Sequence, residues 1–160
     1  MPQANNARHP PELQVSEWIN TSETPSLSAL RGQVVVVHAF QMLCPGCVAH
    51  GLPQAKRLTQ VFAGRDLVVL GLHTVFEHHA VMTPAALRVF LHEYRIGFPV
   101  GIDMPGDPGP LPRTMQAYRM EGTPTLLVFD RQGQLQLNQL GQVDDMALGA
   151  LLGELLAQPA

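Results

Sequence analysis

The chain has 160 residues, 46% of them hydrophobic and 14% charged, with a formal charge of −3. That length suits one domain with a proper core, and that charge balance argues against nucleic acid or an acidic membrane surface as a partner. No apolar run approaches the roughly 20 residues of a membrane span.

Residues 1–12 read as a flexible lead: polar, proline-bearing, with Arg8 but no apolar stretch behind it. A secretory leader would show a basic start and a hydrophobic core, so the expected compartment is the cytoplasm, or the periplasm for a chain whose leader has been removed. Leu13 to Ile19 alternates as a strand, and a polar turn through Pro25 follows it. Val34 to Phe40 is an unbroken apolar and β-branched run, the pattern of a strand buried on both faces. Leu52, Ala55, Leu58 and Val61 then recur at helical spacing, with Gly64 as the expected stop. Asp66 to Leu72 reads as a second buried strand. Thr83-Pro84 opens a helix with a cap and a proline in its first turn; Leu87, Phe90, Leu91 and Tyr94 form its face, and Gly97 is expected to close it.

Phe98 to Ile102 reads as a short strand, and residues 103–112, with four prolines and two glycines, as a stiff loop. Thr125 to Phe129 is another apolar strand. It is joined through the turn Asp130-Arg131-Gln132-Gly133 to a partner in which Leu135 and Leu137 alternate with glutamines. The last helix begins near Val143, carries Asp144 and Asp145 in its first turn, and aligns Leu148, Leu151, Leu152 and Leu155. The fold class is therefore α/β, with a single domain over residues 13–157.

The chemistry is concentrated at Cys44-Pro45-Gly46-Cys47, which holds the only two cysteines of the chain, between a buried strand and a helix. The free N–H groups and partial positive charge of a helix start favour thiolate over thiol at the first sulfur. Half a zinc site is the competing reading of such a pair, but four ligands are needed. No second cysteine pair exists, although His50 lies one turn beyond Cys47. Val48 stands where a haem-attachment motif requires histidine.

These residues, with Leu27 to Gly32 ahead of the central strand, Tyr94 to Val100, and Gly122-Thr123-Pro124-Thr125, resemble the thioredoxin fold. More narrowly, they resemble the TlpA/DipZ-like thiol–disulfide oxidoreductases of the redoxin, AhpC/TSA-related group. The resemblance implies a central mixed β-sheet flanked by helices, with an N-terminal strand extension. It also implies that Cys44 is the nucleophile, that Cys47 resolves the mixed disulfide as a redox-active pair, and that Pro124 is cis, with the Thr123 backbone facing the substrate. The implied substrate is a disulfide-bearing protein or small molecule, reduced at the expense of an unidentified electron donor, with no cofactor and no metal. A thiolate attacking a disulfide is the reaction such a pair performs.

Several positions depart from the family pattern. His38, six residues before Cys44, stands where these proteins often carry Asp or Asn; it is either a proton relay beneath the dithiol or a neutral packed histidine. Leu43 replaces the usual Trp, and with Met42 and Met120 predicts an adaptable apolar surface around Cys44. Pro53 sits one residue later than the family places it, which requires a bulge near Gly51. His73, Glu77, His78 and His79 form either a metal or proton-relay cluster or a solvated loop. Two alternative functions complete the reading. A peroxiredoxin-type peroxidase lacks the expected Pro and Thr at Val37 and Gln41. A Cu/Zn metallochaperone on this fold usually carries Cys-x-x-x-Cys and a distant histidine, not Cys-x-x-Cys.

Overall fold

The computed structural model describes residues 9–160, so residues 1–8 of the expected lead lie outside the described residues. It contains strands β1 (Val15–Ile19), β2 (Val34–Phe40), β3 (Leu67–His73), β4 (Val100–Asp103), β5 (Thr125–Phe129) and β6 (Leu135–Leu140). The helices are α1 (Leu52–Val61), preceded by a π-helical turn over Cys47–Gly51, α2 (Pro84–Glu93), α3 (Arg113–Ala117) and α4 (Asp145–Ala157). The strands form one sheet in the order β1-β4-β3-β2-β5-β6. β2, β3 and β4 are parallel; β1, β5 and β6 run antiparallel to their neighbours. The α/β class agrees with the sequence pattern, and the mixed sheet and the extra N-terminal strand at its edge agree with what the resemblance implies.

All seven residues of β2 are buried, because the strand is central and covered on both faces. Val34, Val36 and Phe40 face a layer that includes Leu52 and Leu58 of α1, Leu87 and Leu91 of α2, and Leu148 and Leu152 of α4. Val35, Val37 and Ala39 face the opposite layer, with Met115, Tyr118 and Met120. The period of two places His38 on the α1 and α4 side. Strand register therefore decides which layer the imidazole enters.

The start of α2 follows the sequence, whereas α4 begins two residues later than expected, with Asp144 as its cap and not inside its first turn. Thr83 caps α2 by accepting from Ala86 N at 3.2 Å, and Asp144 caps α4 by accepting from Ala147 N at 2.9 Å. The end of α2 also differs. Arg95 (φ 56°), not Gly97, takes the left-handed position, and Ile96 N donates back to Leu91 O, as in a Schellman ending. At the other end of the chain Glu12 accepts from Leu27 N and Ser28 N, both at 2.7 Å, which fixes the entry to β1.

One element was not expected. The five-residue helix α3 follows the proline-rich loop, and its first N–H groups, those of Thr114 and Met115, bond the carboxylate of Asp103 at 2.9 and 3.1 Å. Burial pushes the Asp103 carboxyl above its usual range, and these N–H donors together with Thr74 Oγ1 pull it back.

Candidate active site: a dithiol at the mouth of a π-turn

Cys44 lies between the end of β2 and the first helical residues, and is partly exposed, whereas Cys47, inside the π-turn, is fully buried. Their sulfurs are 2.6 Å apart, within bonding reach. Cys47 N also donates to Cys44 Sγ at 3.3 Å, the free amide that a helix start supplies. Burial, then the hydrogen bond to Cys44, pushes the Cys47 thiol up to about 12, against the backbone of Gln41 and the Thr123 side chain. The two thiols are thus chemically unequal: one reaches the surface, the other is held protonated beneath it.

The loop that presents Cys44 is pinned from below. Met42 N donates to His73 Nε2 at 3.2 Å, a bond that only a neutral imidazole can accept, and Cys44 N donates to Gln41 O at 3.1 Å. On the far side the Thr123–Pro124 peptide is cis, and the Thr123 carbonyl lies 3.5 Å from Cys44 Sγ. The structure therefore gathers Cys44, Cys47, Thr123 and Pro124 at one point.

It does not place His38 in polar contact with them. The imidazole is 2% exposed, and neither nitrogen has a hydrogen-bond partner. It lies under Gly51, one turn past Cys47: a Cβ at Gly51 would sit 2.6 Å from His38 Cε1 and 3.3 Å from Pro124 Cβ. Burial lowers His38 to about 4, with the Gln54 side chain a weak opposing influence. The Gln54 amide nitrogen itself is engaged by Val143 O and Asp145 Oδ1. A cleft of about 280 Å³ lined by His50, Gln54 and Asp145 reaches His38 from the side of α4.

The residue that sets Pro53 one place late is absorbed in the π-turn, where Leu52 N donates five residues back to Cys47 O. Glycine at position 51 gives the imidazole its room. Gly51→Ala is accordingly expected to destabilise by about 1–3 kcal/mol through overpacking, even though alanine favours a helix by up to about 1 kcal/mol. Urea unfolding of G51A, H38A and the double variant checks this. The penalty should shrink in the His38→Ala background, where only the Pro124 contact remains, giving a coupling above about 1 kcal/mol.

The histidine-rich loop separates into three environments. His73 is buried, and burial lowers it to about 4. Glu77 and His78 line a groove beside Cys44. His79 meets Pro110 O at 3.3 Å on another face. Among the described residues no three His, Cys, Asp or Glu side chains are gathered so as to hold a metal ion, and no helix is long and apolar enough to cross a membrane. Met42 and Met120 do not form the surface around Cys44. Each is 7% exposed and fills the core, because the thioether packs better there than in water. Leu43, 56% exposed, does reach that surface.

A sequence profile described as the AhpC/TSA family matches residues 8–138. The chain belongs to that family. A search of curated proteins found no match. Among solved structures, a thioredoxin-like superfamily protein is 53% identical with a TM-score of 0.92, the alignment covering 95% of this chain and 98% of that one. A thiol-disulfide isomerase from Corynebacterium glutamicum is 52% identical with a TM-score of 0.90, covering 97% and 99%. The exposed lipoprotein thioredoxin of Streptococcus pneumoniae, at 22% identity and a TM-score of 0.66 over 90% and 98%, shares the fold. The fold of this AhpC/TSA-family chain is thioredoxin-like, with Cys44 and Cys47 spaced as a Cys-x-x-Cys motif.

Proposed function

We infer that this AhpC/TSA-family protein is a thiol–disulfide oxidoreductase whose working unit is the Cys44–Cys47 dithiol. The observation that carries the inference is the pair itself: two sulfurs 2.6 Å apart, one open to partners and one buried. The 52% identity to a thiol-disulfide isomerase supports the same chemistry. Cys44 thiolate attacks a substrate disulfide and forms a mixed disulfide while the first substrate sulfur leaves. Cys47 then gives up its proton and attacks Cys44 Sγ, the second substrate sulfur leaves, and the Cys44–Cys47 disulfide forms. Two electrons pass to the substrate, and a dithiol donor returns them.

His38 is better assigned to packing than to proton transfer. Neither ring nitrogen makes a hydrogen bond to either thiol, and burial disfavours the protonated imidazole that a relay would form. The peroxidase alternative is weakened by Val37, buried in the core, and by Gln41, whose amide is engaged with Phe76 N and Glu77. Neither offers a hydroxyl to a peroxide.

Equilibration in buffers of mercaptoethanol and hydroxyethyl disulfide, carried on until the oxidised fraction stops changing and read by thiol alkylation and mass, tests the reading. The expected product is an internal disulfide that forms and opens reversibly with a two-electron dependence. Its potential gives the direction: about −270 mV marks a reductant and about −120 mV an oxidant. An intact protein that stays fully reduced through that range overturns the assignment.

A further inference from the structure

The groove beside Cys44 has a volume of about 620 Å³, and its composition is uneven. Leu43, Val81 and Leu140, from three separate segments of the chain, rim it with 56%, 59% and 49% of their surface in water. Large apolar side chains gathered around a reactive sulfur mark a docking surface. The charge is one-sided. No Lys or Arg lines the groove; Glu77 and His78 are its only titratable groups besides Cys44. Glu77 takes part in none of the ion pairs among the described residues.

Glu77 is also held in place. Gln41 is 1% exposed; its Oε1 accepts from Phe76 N at 3.2 Å and its Nε2 donates to Glu77 Oε1 at 3.5 Å. A buried amide thus fixes the backbone just before Glu77 and contacts its carboxylate. A carboxylate set in an apolar groove, without a cation of its own, favours a ligand that brings one.

We propose that the groove selects polypeptide disulfides in which the cysteine is flanked by an apolar residue and a Lys or Arg, with Glu77 receiving the cation and Leu43, Val81 and Leu140 the apolar side chain. The proposal rests on the dithiol reading above and names its substrate class. Anionic small disulfides such as oxidised glutathione, which carry carboxylates and no apolar flank, are poor substrates. Exchange is the balanced two-electron step already described. The peptide disulfide is reduced to two thiols, Cys44 and Cys47 are oxidised, and a dithiol donor restores them. Glu77 takes no part in bond making.

The test uses the reduced full-length protein and three disulfides: symmetric dimers of short peptides carrying Leu-Cys-Lys or Leu-Cys-Glu, and uncharged hydroxyethyl disulfide. Each peptide rate is divided by the same variant's rate with hydroxyethyl disulfide. In low salt the Lys peptide is expected to react about tenfold faster than the Glu peptide, since attraction and repulsion each contribute. Added salt should narrow that ratio. Glu77→Lys should invert it, whereas Glu93→Lys, the same charge change on α2 outside the groove, should keep it. Replacing Leu by Ser in the peptide should slow the reaction severalfold. Equal rates for the two charged peptides, or an E77K ratio equal to that of the unsubstituted protein, would overturn the proposal. Failure of hydroxyethyl disulfide to react at all would instead strike the dithiol reading.

Discussion

Cys44→Ser is expected to lower the rate of disulfide exchange at least a thousandfold, while Cys47→Ser leaves the first attack and stops the second. The asymmetry follows from burial. With Cys47 fully buried and its thiol pushed up to about 12, it is held protonated at pH 7. Without Cys44 the hydrogen bond between the sulfurs is lost and some of that elevation relaxes. Burial, the largest cause, remains, and so does the absence of a path for a substrate sulfur. In Cys47→Ser the exposed sulfur still reacts, but nothing displaces the substrate from it. Mass spectrometry after mixing with a peptide disulfide should therefore show one covalently bound peptide per chain in C47S and none in C44S. Equal trapping by both variants would mean that the two sulfurs are interchangeable, contrary to the geometry.

The parts of this arrangement legible in the sequence are those whose cause is local. Val34 to Phe40 needed only its unbroken apolar run, and Thr83 needed only its place before a helix. The late position of Pro53 located the irregular turn, since an extra residue between Cys47 and Pro53 has to be stored somewhere. What escaped the sequence depends on distant partners. The carboxylate that holds the start of α3 comes from Asp103, eleven residues upstream. Arg95 in a left-handed conformation closes α2 where glycine was the natural expectation. Met42 and Met120 carry no signal that separates core from groove. Glu77 stood among three histidines as one polar cluster, and only the fold turns it toward Cys44 while burying His73. Val81 and Leu140 join Leu43 across nearly a hundred residues of sequence. No periodicity within one segment reports such a meeting.

His38 and His73 carry the second large effect, a steep loss of stability in mild acid. Burial lowers both to about 4 in the folded protein, against about 6.5 in an unfolded chain. Between those values the unfolded state binds more protons, so stability is complete above about pH 6.5 and falls as pH drops toward 4. Each group contributes about 3 kcal/mol over that window, together about 6 kcal/mol, which is a large share of the 5–15 kcal/mol typical of a domain. Asp103 acts in the opposite direction, because its raised carboxyl lets the folded state take up a proton first. Asp145 is lowered by Gln54 and Arg57; it loses its contribution only below the usual carboxylate range and so does not shape this window. Urea unfolding at pH 7, 5.5 and 4.5 should show the midpoint moving steadily down, and His38→Asn should remove about half of that dependence. The same variant separates packing from proton transfer. An exchange rate whose pH profile is unaltered in H38N leaves the imidazole a filler beneath Gly51, whereas a profile displaced along the pH axis would return it to the chemistry. A midpoint that stays flat from pH 7 to 4.5 would show that neither histidine is buried as a neutral ring.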